Sequence, residues 1–205
     1  MKKKIINHWM NIIKKNKNYD SIKLSEIEYG LTGLYLTLSK LIIIMFISLL
    51  LGVFKEMIIF LLIYNALRMT SFGIHATKSW ICLLLSTISF VGIPIICLKI
   101  WIPFFGKLII GIIGIIFIIK NSPADTKKRP IVNPKRRLIY KLMSTIIAIT
   151  YVIISILIKN NFIANCLIFG LVLQNILISP LTYKLFKQPY NNYKEFLRLN
   201  PNFLN

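Results

Sequence analysis

Apolar runs approaching the width of a bilayer recur along this chain, and the gaps between them are basic. A helix needs about 20 predominantly apolar residues to cross hydrocarbon. Of the 205 residues, 56% are hydrophobic, and the mean hydropathy is +0.70. No length is left over for a separate soluble domain. The expected fold class is all-α: one polytopic membrane domain over residues 1–205. Six spans are predicted, at about 30–53, 56–71, 79–98, 102–119, 138–158 and 162–184. Residues 1–25 read as an interfacial helix. Ile5, Ile6, Trp9, Ile12 and Ile13 fall at helical spacing among Lys2, Lys3, Lys4, Lys14, Lys15 and Lys17, the pattern of a helix lying on an anionic leaflet.

Charge sets the orientation. Lys and Arg number seven before Gly30, one in 54–56, two in 68–78, one in 99–101, seven in 120–137, one in 159–161 and four from Lys184 onward. Rich and poor gaps alternate, so both termini, the break 68–78 that leads to Cys82, the loop 120–137 and the tail 185–205 are expected on the cytoplasmic side. The net charge of +20 would suggest nucleic acid in a soluble protein. Here basic loops account for it and no nucleic-acid-binding fold is visible, so nucleic acid is not an expected partner. Met1-Lys2-Lys3-Lys4 is not followed by the apolar run and small-residue cleavage site of a signal peptide, and the segment is expected to stay on the mature chain. Cys82, Cys97 and Cys166 are too scattered for a disulfide framework, no CxxC pair occurs, and His8 and His75 form no metal cluster. No metal or other cofactor is expected.

The residues that suggest chemistry lie in the polar break R-M-T-S-F-G-I-H-A-T-K-S-W-I-C, from Arg68 to Cys82. A thiol becomes a nucleophile as the thiolate, and imidazole is its usual base. On one regular helix His75 and Cys82 would share a face but stand about 10.5 Å apart along the axis, too far for a thiol–imidazole hydrogen bond. A catalytic pair therefore requires the helix to break between them. Gly73 permits such a turn, and Ser79 is a good N-cap for the third span. That places Cys82 in the first helical turn, where free N–H groups favour a thiolate. Arg68 would orient a carboxylate or peptide carbonyl, or snorkel to headgroups. Against this stands the plainer reading: a lone Cys in an apolar span is usually a packing residue, and a lone interfacial His is usually solvated. Cys97 and Cys166 read as packing residues.

The order Arg68, Gly73, His75-Ala76, Ser79, Cys82 resembles the accessory gene regulator B (AgrB) family of Gram-positive bacteria. A second block agrees, Ser122-Pro123-Ala124-Asp125-Thr126-Lys127-Lys128-Arg129-Pro130-Ile131, followed by Lys135, Arg136 and Arg137. The resemblance implies an integral-membrane cysteine endopeptidase that cuts an AgrD-type quorum-sensing propeptide. The product is a cyclic thiolactone or lactone. It implies Cys82 as nucleophile and His75 as general base and acid, with Arg68 and Gly73 in support. Many members carry two glycines before the His; here Ser71 and Phe72 precede the single Gly73.

The basic loop would suit a substrate with an acidic tail, with Lys127, Lys128 and Arg129 as contacts, although topology alone would also demand a basic loop. Asp125, the loop's one acid, would cap a turn, pair with Lys128 or hold the loop to a span; contact with substrate is the remaining reading. Lys40, Gln174 and Asn175 would satisfy one another or line the substrate groove. The bilayer and the propeptide are the expected partners, and a homodimer is left open. The competing function classes are a small transporter and a membrane scaffold without proteolytic activity.

Overall fold

The computed structural model describes residues 2–16, 19–74, 78–126 and 130–200. They form two compact units, Met1–Ile47 and Ser48–Asn205. In the first, α1 (Lys2–Asn16) buries Ile6 and Met10 and leaves Trp9 53% exposed. The helix expected over 1–25 is two pieces, because α2 (Ser21–Leu50) opens at its own cap: the Asp20 carboxylate accepts the Lys23 N–H at 3.0 Å. A side-chain acceptor at that position satisfies an N–H that the first turn cannot.

The second unit holds the remaining helices. These are α3 (Phe54–Ser71), α4 (Ser79–Thr87), α5 (Ile93–Lys99), α6 (Phe104–Asn121), α7 (Pro134–Leu157), α8 (Asn161–Ile178), α9 (Pro180–Leu185) and α10 (Asn192–Leu199). A π-helical stretch, Ile88–Gly92, joins α4 to α5. Pro94 is the second residue beyond it; proline has no N–H and its ring crowds the preceding turn, which explains the local widening. An isolated parallel bridge pairs Phe72 with Ala124.

Five helical stretches are long and apolar enough to cross a membrane: Ser21–Leu50, Ser79–Lys99, Phe104–Asn121, Pro134–Leu157 and Asn161–Ile178. The chain is thus an all-α polytopic membrane protein. The helix expected as the second span, α3, is not among the five, since Lys55, Glu56 and Arg68 fall within its 18 residues. Instead it packs against α5, α7, α8 and the π-helical stretch, with Met57, Phe60 and Leu67 fully buried. A helix shielded by its neighbours needs less lipid-facing apolar surface.

Caps set the other boundaries. The Asn133 side chain accepts the N–H groups of Lys135 and Arg136, and Pro134 takes the first helical position, so α7 starts before residue 138. The last long helix ends at Ile178 and does not run to 184, because Pro180 cannot donate and Ser179 is extended before it. Two glycines let α6 approach its neighbours. A Cβ at Gly111 would lie 2.7 Å from Val152 of α7, and one at Gly114 would lie 2.7 Å from Leu171 of α8.

Candidate functional site

The site is assembled where α3 ends. Its last turn carries Arg68, and the guanidinium folds back over the residues that follow. Nη2 donates to the carbonyls of Gly73 at 3.0 Å and Ile74 at 2.8 Å, and Nη1 donates to the carbonyl of Phe72. A cation over the last carbonyls of a helix is favoured by both charge and hydrogen bonding. Arg68 therefore turns inward as a clamp on the chain and does not snorkel.

Residues 71–74 are held from three more directions. Ala124 donates to Ser71 O at 3.0 Å and accepts from Gly73 N at 2.8 Å. Ile74 N donates to Leu177 O, at the end of α8, at 3.1 Å. Gln174, one turn earlier on α8, donates from Nε2 to Phe72 O at 2.7 Å. The backbone here is unusual: Phe72 has φ 57 and ψ −132, and Gly73 has φ 112. For a bulky residue such as Phe72 that conformation costs about 1–3 kcal/mol. Its ring is anchored edge-on against Tyr140 of α7, with centroids 4.9 Å apart. At Gly73 a Cβ would meet Arg68 Nη1 at 2.5 Å and Leu177 O at 2.9 Å, so only glycine fits.

α3 thus ends at Ser71, two residues before Gly73, and α4 begins afresh at Ser79. Lys78 is the N-cap, extended at φ −94 and ψ 131, with Ser79 the first helical residue. This corrects the expected cap by one position. The Ser79 side chain makes no capping bond, and Cys82 becomes the fourth helical residue, its N–H donating to Lys78 O at 3.1 Å. Cys82 stays in the opening turn. It is half-buried, whereas Cys97 and Cys166 are buried and pack together with Phe60. His75, the expected base, lies outside the described residues, as do Lys127, Lys128 and Arg129.

Asp125 stands in the segment that pairs with the clamp, after a cis Ser122–Pro123 bond, and is 3% exposed. Its carboxylate accepts the N–H groups of Asn192 at 3.1 Å, Tyr193 at 2.9 Å and Ile131 at 3.3 Å. It also pairs with Arg137 at 3.5 Å. Burial pushes the carboxyl above its ordinary range; the three N–H groups and Arg137 pull against that shift. Asn191, the N-cap residue of α10, makes no side-chain cap bond, and Asp125 supplies the acceptor from 67 residues away. The Tyr183 hydroxyl donates to the carbonyls of Asp125 and Ala124. Arg137 stacks over the Tyr193 ring at 3.5 Å. The carboxylate is engaged within the fold.

Gln174 and Asn175 do not satisfy each other: Gln174 reaches Phe72, and Asn175 donates to Gly114 O at 3.2 Å. Gln174 belongs to the clamp, a role that a polar residue inside an apolar run signals only in general terms. Lys40 lies in the other unit. Among the described residues no group of His, Cys, Asp or Glu could hold a metal ion.

The sequence profile of accessory gene regulator B matches residues 6–178. An AgrB-like protein of Clostridium acetobutylicum is 28% identical over 186 residues, 91% of this chain and 89% of that protein. One of Listeria monocytogenes is 32% identical over 175 residues, 83% of this chain and 84% of that protein. The accessory gene regulator protein B of Staphylococcus epidermidis is 28% identical over 195 residues, 94% of this chain and 97% of that protein. No solved structure matches the chain. With its profile match across most of the length and relatives covered nearly end to end, the chain belongs to the accessory gene regulator B family.

Proposed function

We propose that this chain is a membrane cysteine endopeptidase that cleaves an AgrD-type propeptide and closes the signal segment into a thiolactone or lactone ring. Family membership supports a part in accessory gene regulation and quorum sensing. The observation that carries the enzymatic reading is the placement of Cys82. Of three thiols it alone is not buried, and it sits in the opening turn of α4, whose first N–H groups have no partner within the helix.

His75 takes the proton from the Cys82 thiol. The thiolate attacks the peptide carbonyl at the junction between signal segment and C-terminal tail. The tail's amine leaves with the proton held by His75, and the signal segment remains as a thioester on Cys82. An internal Cys or Ser of the substrate then attacks the thioester, closes the ring and frees Cys82. Thioester exchange is close to neutral in energy while hydrolysis is downhill. The site must therefore exclude water and hold the internal nucleophile close, which an apolar flank and a bound propeptide supply. Backbone N–H groups of the first α4 turn are the oxyanion donors in this scheme. Arg68 and Gly73 act one step removed, by fixing the chain that enters His75. Lys127, Lys128 and Arg129 receive the acidic tail, and Asp125 keeps their loop in place.

Both termini and the site face the cytoplasm in this reading, where the propeptide is made. The test is co-expression with a candidate AgrD-type propeptide. Wild type cleaves it, while Cys82→Ala and His75→Ala leave it intact. Full cleavage by Cys82→Ala overturns the reading.

A further inference from the structure

The reaction scheme leaves one side chain of the clamp without a task. Gln174 is fully buried, within a helix of otherwise mostly apolar residues. Its Nε2 donates to Phe72 O at 2.7 Å, and among the described residues its Oε1 has no hydrogen-bond partner. A desolvated acceptor left unmet is unfavourable, the more so at membrane depth. A methionine of similar length would pack there without that penalty. For the packing of α8 alone, therefore, the amide is the wrong choice. What it does accomplish is specific. The Phe72 carbonyl receives two side-chain donors, Arg68 Nη1 from α3 and Gln174 Nε2 from α8. It belongs to a residue in the left-handed region that few side chains adopt. Two donors converging from different helices hold that conformation against relaxation to an ordinary extended turn. Gly73 and Ile74, tied to Ala124 and Leu177, continue from it, and the next residue in the chain is His75.

We propose that Gln174 is a positioning residue: by holding the Phe72 carbonyl against Arg68, it sets the path on which the chain delivers His75 to Cys82. This rests on the peptidase reading above.

The experiment uses the full-length protein in liposomes and reads two quantities for wild type, Gln174→Met, Gln174→Glu and His75→Ala. One is the rate of Cys82 alkylation by N-ethylmaleimide against pH, scored by mass spectrometry on the Cys82 peptide, so that Cys97 and Cys166 do not contribute. The other is kcat and KM for the AgrD-type propeptide that the wild type cleaves in co-expression. Alkylation follows the thiolate fraction. The expected result is a wild-type midpoint below that of His75→Ala, with Gln174→Met moved to the His75→Ala midpoint. Its kcat falls about 10- to 100-fold, with KM changed less than about 3-fold. Gln174→Glu recovers part of both, because a buried carboxyl stays protonated and can donate to Phe72 O. A wild-type alkylation profile and kcat in folded Gln174→Met overturn the proposal, as does coincidence of the wild-type and His75→Ala profiles. Should Gln174→Met not be recovered folded, Gln174→Asn, one methylene short of the carbonyl, makes the same comparison. If the wild type cleaves nothing, the peptidase reading fails while the alkylation profiles still decide the role of Gln174.

Discussion

Two adjacent residues with positive φ, Phe72 and Gly73, turn the end of α3 toward the site, and each makes a sharp prediction. At Gly73 the space beside the α-carbon is filled by Arg68 Nη1 and Leu177 O. Gly73→Ala should destabilise the protein by at least about 2 kcal/mol, read by thermal unfolding in detergent. At Phe72 the usual ranking of small substitutions inverts. Phe72→Ala gives up the ring on Tyr140 and keeps the backbone strain, while Phe72→Gly gives up the ring and relieves it. Phe72→Gly should therefore be the more stable of the two by about 1 kcal/mol; equal stability, or Ala above Gly, contradicts the strained backbone. Much of this turn was legible beforehand. Helix geometry demanded a break between His75 and Cys82, and Gly73 was the residue able to make one. The partners of the turn were not. Gln174 and Phe72 are 102 residues apart, and no local pattern links a buried amide to a distant carbonyl. The one-residue shift of the α4 cap has a similar origin: serine is the better capping side chain in general, but here the N-cap conformation falls on Lys78 and Ser79 is already helical.

Helices at the polar end of the second unit are joined by buried polar groups rather than by apolar packing alone. Asp125 takes the place of a local cap for α10 and holds Arg137 of α7. Asp125→Ala strands the N–H groups of Asn192 and Tyr193 and should cost about 2–6 kcal/mol, at about 1–3 kcal/mol per unmet buried donor. The same change should expose α10 to limited proteolysis while α3 to α8 stay protected. If α10 in the variant resists protease as well as in the wild type, Asp125 does not cap it. The sequence left Asp125 three structural roles, capping a turn, pairing with Lys128 or holding the loop to a span; among the described residues its carboxylate meets Arg137, twelve residues on, and the start of a helix near the C-terminus. Helices themselves were the readable part: apolar runs marked α2, α4–α5, α6, α7 and α8, and missed most where Asp20, Asn133 or Pro180 set the boundary.

For the whole molecule, membrane topology turns on α3. Its 18 residues rise about 27 Å at 1.5 Å per residue, close to the hydrocarbon thickness. Its charged residues lie near its ends, Lys55 and Glu56 at one and Arg68 at the other. We propose that α3 crosses as an interior helix, which makes six spans and puts both termini in the cytoplasm. A fluorescent protein fused after Asn205 should then fluoresce and alkaline phosphatase there should be inactive; the reverse pattern means that α3 does not cross. Hydropathy reads lipid-facing helices well and enclosed ones poorly, so α3 stood out in the sequence only as a short span. The central claim, that Cys82 carries the peptide as a thioester, is tested most directly by intact-mass analysis of the protein quenched in acid during propeptide cleavage. The account predicts a hydroxylamine-labile adduct on Cys82 with the mass of the signal segment, absent from Cys82→Ala. Cleavage that proceeds with no such adduct, or that continues in Cys82→Ala, would contradict it.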